Sequence, residues 1–295
     1  MGLSQDRRTL LLSVDFEDWH QLVRRRVGVS GWEEPGPALR GQAERLLALL
    51  DALGVRATFF ILGMAARAHP ELVAQVAAAG HEVGCHGDAH RLVHTQTRQD
   101  FAADLRRARS TIEQLTGQRP IGYRAPAFSI TRETPWAYEV LAEEGFHYDS
   151  SQHDSPRIRD RVIPASAGPH ELSTANAVLW EFPLAVWHPR GLKVPVGGAS
   201  YWGALPTPLI LHGLAETEMA GLYLHPYELD PAPLRPGLPA SATGAQRAHG
   251  ALRAAQRNFA RRRAAGVLHA IAKRHRLIPY GEAHAQLSSG APAGS

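Results

Sequence analysis

Three carboxylates fall within four residues in Ser13-Val14-Asp15-Phe16-Glu17-Asp18-Trp19, and two imidazoles stand four apart in Gly84-Cys85-His86-Gly87-Asp88-Ala89-His90. Carboxylates this close repel one another unless a cation or an arginine compensates them. Histidines at this spacing can chelate one metal from a helical turn or a strand-end loop, and the flanking glycines let the backbone turn sharply. Brought together, the two stretches would form a facial His/His/carboxylate site for a divalent metal with positions left open for water. Each also has a plainer reading. A chain with 16 histidines contains chance pairs on its surface, and an acidic triplet can be a solvated loop.

Two further stretches could serve such a site. In Tyr123-Arg124-Ala125-Pro126-Ala127-Phe128, Arg124 precedes a proline-stiffened turn, so its guanidinium could lock a carboxylate bidentately. In Leu222-Tyr223-Leu224-His225-Pro226-Tyr227-Glu228, His225 follows an apolar run and could act as an acid or merely cap a turn. Order and shared placement carry more weight than any fragment alone.

The elements that would position these groups alternate. Thr9–Phe16 reads as a buried strand ending in the acidic triplet, and Gln42–Leu53 as a helix closed by Gly54. Strand 56–62, helix 70–79, strand 82–85, helix 98–115, strand 121–123, helix 134–144 and strand 146–149 follow. Such a rhythm predicts an α/β fold with parallel strands joined by right-handed crossovers. The chemically interesting residues lie just past the strands' C-terminal ends, where parallel α/β barrels build their active sites. From about 155 to 205 the rhythm weakens, with only Val178–Trp187 strand-like; we expect a long excursion, a lid or substrate wall, within a single domain. Gly221–Leu224 restores the pattern, a helix spans roughly 250–273, and 286–295 reads as a disordered tail.

Composition bounds the remainder. With 295 residues, 44% of them hydrophobic and 20% charged, the chain can bury a large core. The net charge of +4 is dispersed: Arg24–Arg26 and Arg261–Arg263 read as solvated helix faces, and no interleaving of basic and aromatic residues suggests nucleic acid. One cysteine, Cys85, excludes an intrachain disulfide framework and reads as a small buried residue. The apolar run Leu10–Val14 is too short for a signal-peptide core and no stretch suits a bilayer span, so cytoplasmic residence is expected.

The stretches Ser13–Trp19, Ala57–Phe60, Gly80–Val83, Cys85–His90, Tyr123–Thr131, Tyr148–Ser151 and Leu224–Glu228 resemble, in this order, the motifs of the polysaccharide deacetylases (carbohydrate esterase family 4, NodB homology domain). The resemblance is nearest to the branch found beside exosortase and PEP-CTERM exopolysaccharide loci, and runs from about residue 9 to residue 281. It implies an irregular (β/α)7 barrel over 1–285, with an inserted excursion and a C-terminal helix. It also implies one divalent cation, most often zinc, with cobalt or another divalent ion as the alternative. Carried over by position, Asp15 would be the general base, Arg124 would orient it, and His86 and His90 would be metal ligands. His225 would be the general acid, the N–H of Ala127 after Pro126 would bind the oxyanion, and Asp149 lies in a further motif of less defined role.

One departure bears on the ligands. The commonest family form has adjacent aspartates, whereas Phe16 follows Asp15 here. Residues two apart on an extended strand face one side, which favours Glu17 as third ligand; a turn at the strand end would present Asp18 instead. Trp19, Phe60, Phe128, Trp187, Tyr201 and Trp202 are candidates for sugar-stacking walls or core. The implied activity is hydrolysis of acetyl groups, N-acetyl before O-acetyl, from an amino-sugar polymer or lipid-linked glycan, a linear-amide hydrolase serving exopolysaccharide biosynthesis. The rivals are a related metal amidohydrolase acting on a small cyclic amide or ureide, and a glycan-binding module without catalysis.

Overall fold

A computed structural model describes residues 7–154, 168–175 and 177–289. Strand β1 (Thr9–Phe16) shows how the sequence builds the scaffold. Its even residues Leu10, Leu12, Val14 and Phe16 join the large apolar cluster beneath the helices, while Leu11 joins an interior cluster with Phe60, Tyr148 and Tyr280. Side chains alternate across a strand, so Ser13, Asp15 and then Glu17 continue the interior series. Both faces are covered, which is why the run is apolar almost throughout.

After β1 come α1 (Trp19–Arg26) and α2 (Leu39–Ala52), then β2 (Thr58–Ile61), α3 (Gly63–Ala68) and α4 (Pro70–Ala78). Next are β3 (Glu82–Cys85), α5 (Arg98–Thr116), β4 (Gly122–Tyr123), α6 (Trp136–Glu143) and β5 (Tyr148–Asp149). Then follow β6 (His170–Ser173), β7 (Val178–Glu181), β8 (Val186–Trp187), β9 (Val194–Pro195), α7 (Ala199–Trp202), α8 (Thr207–Ala215) and β10 (Gly221–Leu224). The described chain ends with α9 (Gly244–Arg261), α10 (Ala264–Arg274), β11 (Arg276–Ile278) and α11 (Tyr280–Ser288).

The strand order is β10-β1-β2-β3-β4-β5-β7, parallel at every step. The sheet then curls until a parallel bridge joins Leu184 to Gly221. Gly221 N donates to Pro183 O at 2.9 Å and Ala185 N to Gly221 O at 2.9 Å. This is the irregular (β/α)7 barrel expected, with β11 added parallel to the start of β1 and β6 antiparallel to β7. Glycines clear its interior: a Cβ on Gly84 would stand 2.7 Å from the Phe60 ring, and one on Gly122 would stand 2.0 Å from Tyr148 Cζ.

Four expectations need correction. Val178–Trp187 is two strands, β7 and β8, because Pro183 between them has no N–H to donate. Strand β7 is a wall of the barrel, so the span from 155 to 205 is not wholly an excursion; residues 155–167, where a lid was expected, lie outside the described residues. The helix expected over 250–273 is two, α9 and α10, breaking at Arg262 with neither glycine nor proline there. Helix α11 runs through position 286, where the tail was to begin, because Tyr280 and Ala283 are buried in the interior cluster. No helix among the described residues is long and apolar enough to cross a membrane.

Candidate active site

The interior series of β1 delivers Asp15 and Glu17 to the C-terminal mouth of the barrel. From β3 the same parity brings His86 there, and the tight loop after it brings His90. That loop is pinned: Gly63 N and Met64 N donate to the carbonyls of Gly87 and Asp88, and Arg67 clasps the Asp88 carboxylate at 2.6 and 3.2 Å. Gly87 has φ +80° and His90 φ 51°, a left-handed conformation that a non-glycine residue holds only where its surroundings impose it.

His86 Nε2 lies 2.6 Å and His90 Nε2 3.0 Å from Glu17 Oε1. All three residues are buried, and their ligand atoms gather within 4.8 Å of one another. Burial raises the pKa of the Glu17 carboxyl, but the two imidazoles outweigh it and hold it well below the usual carboxylate range. Burial likewise disfavours a charged His86, yet Glu17 and Asp15 carry its pKa above the ordinary imidazole value. His86 Nδ1 donates to Arg124 O at 2.7 Å, fixing the tautomer so that Nε2 faces the cluster, as in histidines that bind metals.

One buried carboxylate and two converging imidazoles are a donor set that fits a divalent cation of the zinc type. On the outer side, Arg25 reaches both Nδ1, at 2.6 Å, and the carbonyl of His90. An arginine only donates, so ligation through Nε2 requires the ring proton to move to Nδ1 and Arg25 to keep the carbonyl alone.

Beside this cluster Arg124 is fully buried with all its donors engaged. Nε donates to Ser150 O, Nη1 to Ser13 Oγ and Asp15 Oδ1 at 2.6 and 2.8 Å, and Nη2 to Ser150 Oγ and Tyr280 Oη. The guanidinium lies 4.3 Å from the Phe60 ring centre. Arg124 therefore meets Asp15 through one nitrogen, not bidentately. Asp15, Glu17 and His225 also gather within 4.8 Å, and His225 Nε2 stands 4.0 Å from Glu17 Oε2.

Asp18 is not at the cluster. It is the N-cap of α1, with Oδ1 accepting from His20 N at 2.7 Å and Oδ2 from Gly36 N at 2.6 Å. The ladder ends at Phe16, but the chain stays extended to Asp18, so alternation delivers Glu17, and Asp18 spends one oxygen on the start of α1 and the other on Gly36. Asp18→Ala is expected to cost about 0.5–2 kcal/mol, the range for losing such a cap, with metal stoichiometry unchanged. Thermal unfolding with metal analysis checks this, and a fall in bound metal would return Asp18 to the ligand set.

Pro126 is buried and opens a short turn in which Ala127 (φ 51°, ψ 30°) and Phe128 (φ 54°) are left-handed. The turn closes through Phe128 N to Ala125 O, leaving Ala127 N outside its bonding. From there rings run towards His225. Phe128 lies 5.1 Å from His153 and 5.2 Å from Tyr223, Tyr201 lies 6.2 Å from His153, and Tyr223 lies 5.8 Å from His225. Burial pushes His153 down to about 4, so this ring is neutral.

The other aromatic candidates are structural. Trp202 is fully buried, Trp19 packs on Tyr227 and donates to Arg235 O, and Trp187 reaches Glu216. Asp149 sits on the opposite face of its strand, accepting from Ser151 N and Oγ. Cys85 faces the helices, its thiol pushed up to about 12 by burial.

Several functional neighbours escaped the sequence. Ser13, Ser150 and Tyr280 surround Arg124; Ser13 and Ser150 fall within stretches singled out above but were given no role, and Tyr280 lies 156 residues from Arg124. Arg25 and Arg261 belong to clusters expected to be solvated, yet Arg25 touches His90, and Arg261 donates to the carbonyls of Tyr227, Asp230 and Ala232. Glu228 binds His225, and its position three residues on is a capping spacing that was open to reading.

Residues 34–147 match the family model described as "Polysaccharide deacetylase", and residues 151–263 match one described as "Domain of unknown function (DUF3473)". A peptidoglycan deacetylase-like protein of Gibberella zeae, FGM2, is 31% identical over 172 residues, covering 51% of this chain and 46% of that protein. The chain thus spans less than half of that relative's length. Among solved structures, one from Mycobacterium smegmatis provisionally described as a polysaccharide deacetylase aligns with a TM-score of 0.59 at 19% identity, over 100% of this chain and 96% of the other. The allantoinase PuuE aligns with a TM-score of 0.58 at 17% identity, over 99% and 94%. At such identities these two show the fold alone, and the chemistry rests on the residues of the site.

Proposed function

From the premise that residues 34–147 belong to the polysaccharide deacetylase family, we propose that this protein hydrolyses acetyl groups, N-acetyl foremost, from an amino-sugar polymer or its lipid-linked precursor, with a single divalent metal, as a step in exopolysaccharide assembly. The reading rests on one observation: Glu17, His86 and His90 converge in a buried cluster, and Asp15 and His225 gather about the same Glu17.

A divalent cation held by Glu17, His86 and His90 would make a water acidic enough to attack at neutral pH and would polarise the acetyl carbonyl. Arg124 engages Asp15 Oδ1, which leaves Oδ2 to take a proton from the attacking water. The Ala127 N–H, left out of its turn's hydrogen bonding, is the donor for the developing oxyanion; one such donor is typically worth about 3–4 kcal/mol. Collapse of the tetrahedral centre breaks the carbon–nitrogen bond, and His225 Nε2 gives its proton to the departing sugar nitrogen, so that free amine and acetate leave. Without that proton an amide anion would have to depart, which is why an acid is needed opposite the base.

Acetate release tests the reading on a panel of N- and O-acetylated glycans, with chelator and then with zinc or cobalt restored. The expected result is acetate and free amine in equal amounts, lost with chelator and recovered with metal. Cleavage of a ring ureide with no acetate from any glycan would favour the amidohydrolase reading. Inertness towards all of them by metal-replete protein would favour a binding module.

A further inference from the structure

Behind His225 lies a second polar cluster that the scheme above leaves unused. Glu228 Oε2 accepts both the backbone N–H of His225, at 3.0 Å, and its Nδ1–H, at 3.1 Å. Glu228 Oε1 accepts from Ser200 Oγ at 2.7 Å; Arg257 donates to that same hydroxyl and stands 3.5 Å from Oε1. The Glu228 side chain is 1% exposed, and burial alone would raise its pKa, but His225 and Arg257 outweigh this and keep it an anion. Meanwhile the His225 ring stacks on Tyr227 at 4.8 Å and 18°, and meets Tyr223 nearly perpendicularly at 5.8 Å.

We propose that Glu228, braced by Ser200 of α7 and Arg257 of α9, is a positioning residue for His225. The segment 151–263, whose family model carries no assigned function, is thereby part of the hydrolytic apparatus. This rests on His225 being the general acid, as read above. A glutamate that only capped its turn would need the backbone N–H of His225 and nothing more. Glu228 also holds Nδ1 and meets a cation 29 residues away in sequence.

The chemical consequence concerns tautomers. An imidazole that has given up its Nε2 proton must keep the other on Nδ1 to be ready for the next, and a fixed acceptor at Nδ1 ensures this while aiming Nε2 at the cluster. The same segment supplies His225 itself and the bridge between Leu184 and Gly221 that closes the barrel. Arg257, on α9, reaches the acid indirectly, through Glu228 and through the Tyr227 ring that stacks on His225.

The test exploits the leaving group. An amine must be protonated as it departs, whereas 4-nitrophenolate leaves without help. Glu228→Gln keeps the volume and removes the charge. On an N-acetylated chito-oligosaccharide its kcat is expected to fall by about 100-fold, the lower end of what an acid contributes, with KM within about twofold. On 4-nitrophenyl acetate its kcat/KM is expected to stay within about threefold of wild type, with full metal content. Arg257→Met should show the same selectivity more weakly. Equal losses on both substrates would make Glu228 a structural residue, and no loss on the glycan would remove it from the mechanism; either result overturns the proposal. His225→Ala separates the two layers. If it retains glycan turnover, the acid assignment itself fails; if it loses turnover while Glu228→Gln does not, only the positioning role fails.

Discussion

His86→Ala is expected to abolish metal binding and acetate release together, the largest effect of any single substitution in the site. His86 is 1% exposed, and its Nε2 is the nearer of the two imidazole nitrogens to Glu17. Removing partners that merely orient a metal-bound histidine costs about 10–100-fold in affinity, so losing the ligand itself should exceed that. Two measurements follow it without relying on turnover. Metal analysis after gel filtration should find the variant empty where wild type is loaded. Titrated zinc should also raise the unfolding midpoint of the apo wild type, because a ligand that binds only the folded state stabilises it by RT ln(1 + [L]/Kd). The variant should show no such rise. Full stoichiometry with a wild-type zinc response would remove His86 from the ligand set.

The ligand set was legible because it depends on short-range rules. Glu17 follows from the two-residue alternation of β1, which the extended backbone carries one residue past the strand's end. Asp18 competed for the role because sequence does not say where a strand turns, and the deciding partner, Gly36 N, lies 18 residues away. Arg124 and His225 were found by their place after strands. The shell behind them was not, for a physical reason. Ser200, Glu228 and Arg257 meet only because α7 and α9 pack together over the end of β10, and no local pattern encodes that docking.

The arginine clusters mark the same boundary. Three consecutive arginines read as a solvated face, yet in a helix neighbouring residues point about 100° apart, so one of three can turn inward. Arg25 and Arg261 do so, each to satisfy carbonyls that an adjoining loop leaves unpaired. The break between α9 and α10 has the same origin. No residue at 262 forbids helix, but Arg261 at the end of α9 is drawn to the carbonyls of Tyr227, Asp230 and Ala232. Where the excursion was expected, β7 is only four residues long and is held by neighbours on both sides, too short for its periodicity to declare it a barrel wall.

Asp15→Asn separates chemistry from binding most cleanly. The amide keeps the shape and can still present an oxygen to Arg124 Nη1, so the barrel interior should close as before. What it loses is the capacity to take a proton from water. Turnover on an N-acetylated glycan should fall by about 100- to 10,000-fold, the range for a positioned base, while zinc stoichiometry stays at the wild-type value because Glu17, His86 and His90 are untouched. Some stability should go as well. Arg124 would exchange a charged acceptor for a neutral one, and hydrogen bonds to charged groups contribute about 1.5–3 kcal/mol. The loss should sit towards the lower end, since Ser13, Ser150 and Tyr280 continue to accept from the same guanidinium. A lowered unfolding midpoint with intact metal and collapsed turnover is therefore the expected signature. Here 4-nitrophenyl acetate should not spare the variant, because attack by water needs the base whatever group leaves. An Asp15→Asn protein that turned over both substrates at the wild-type rate would require a different residue to take the proton.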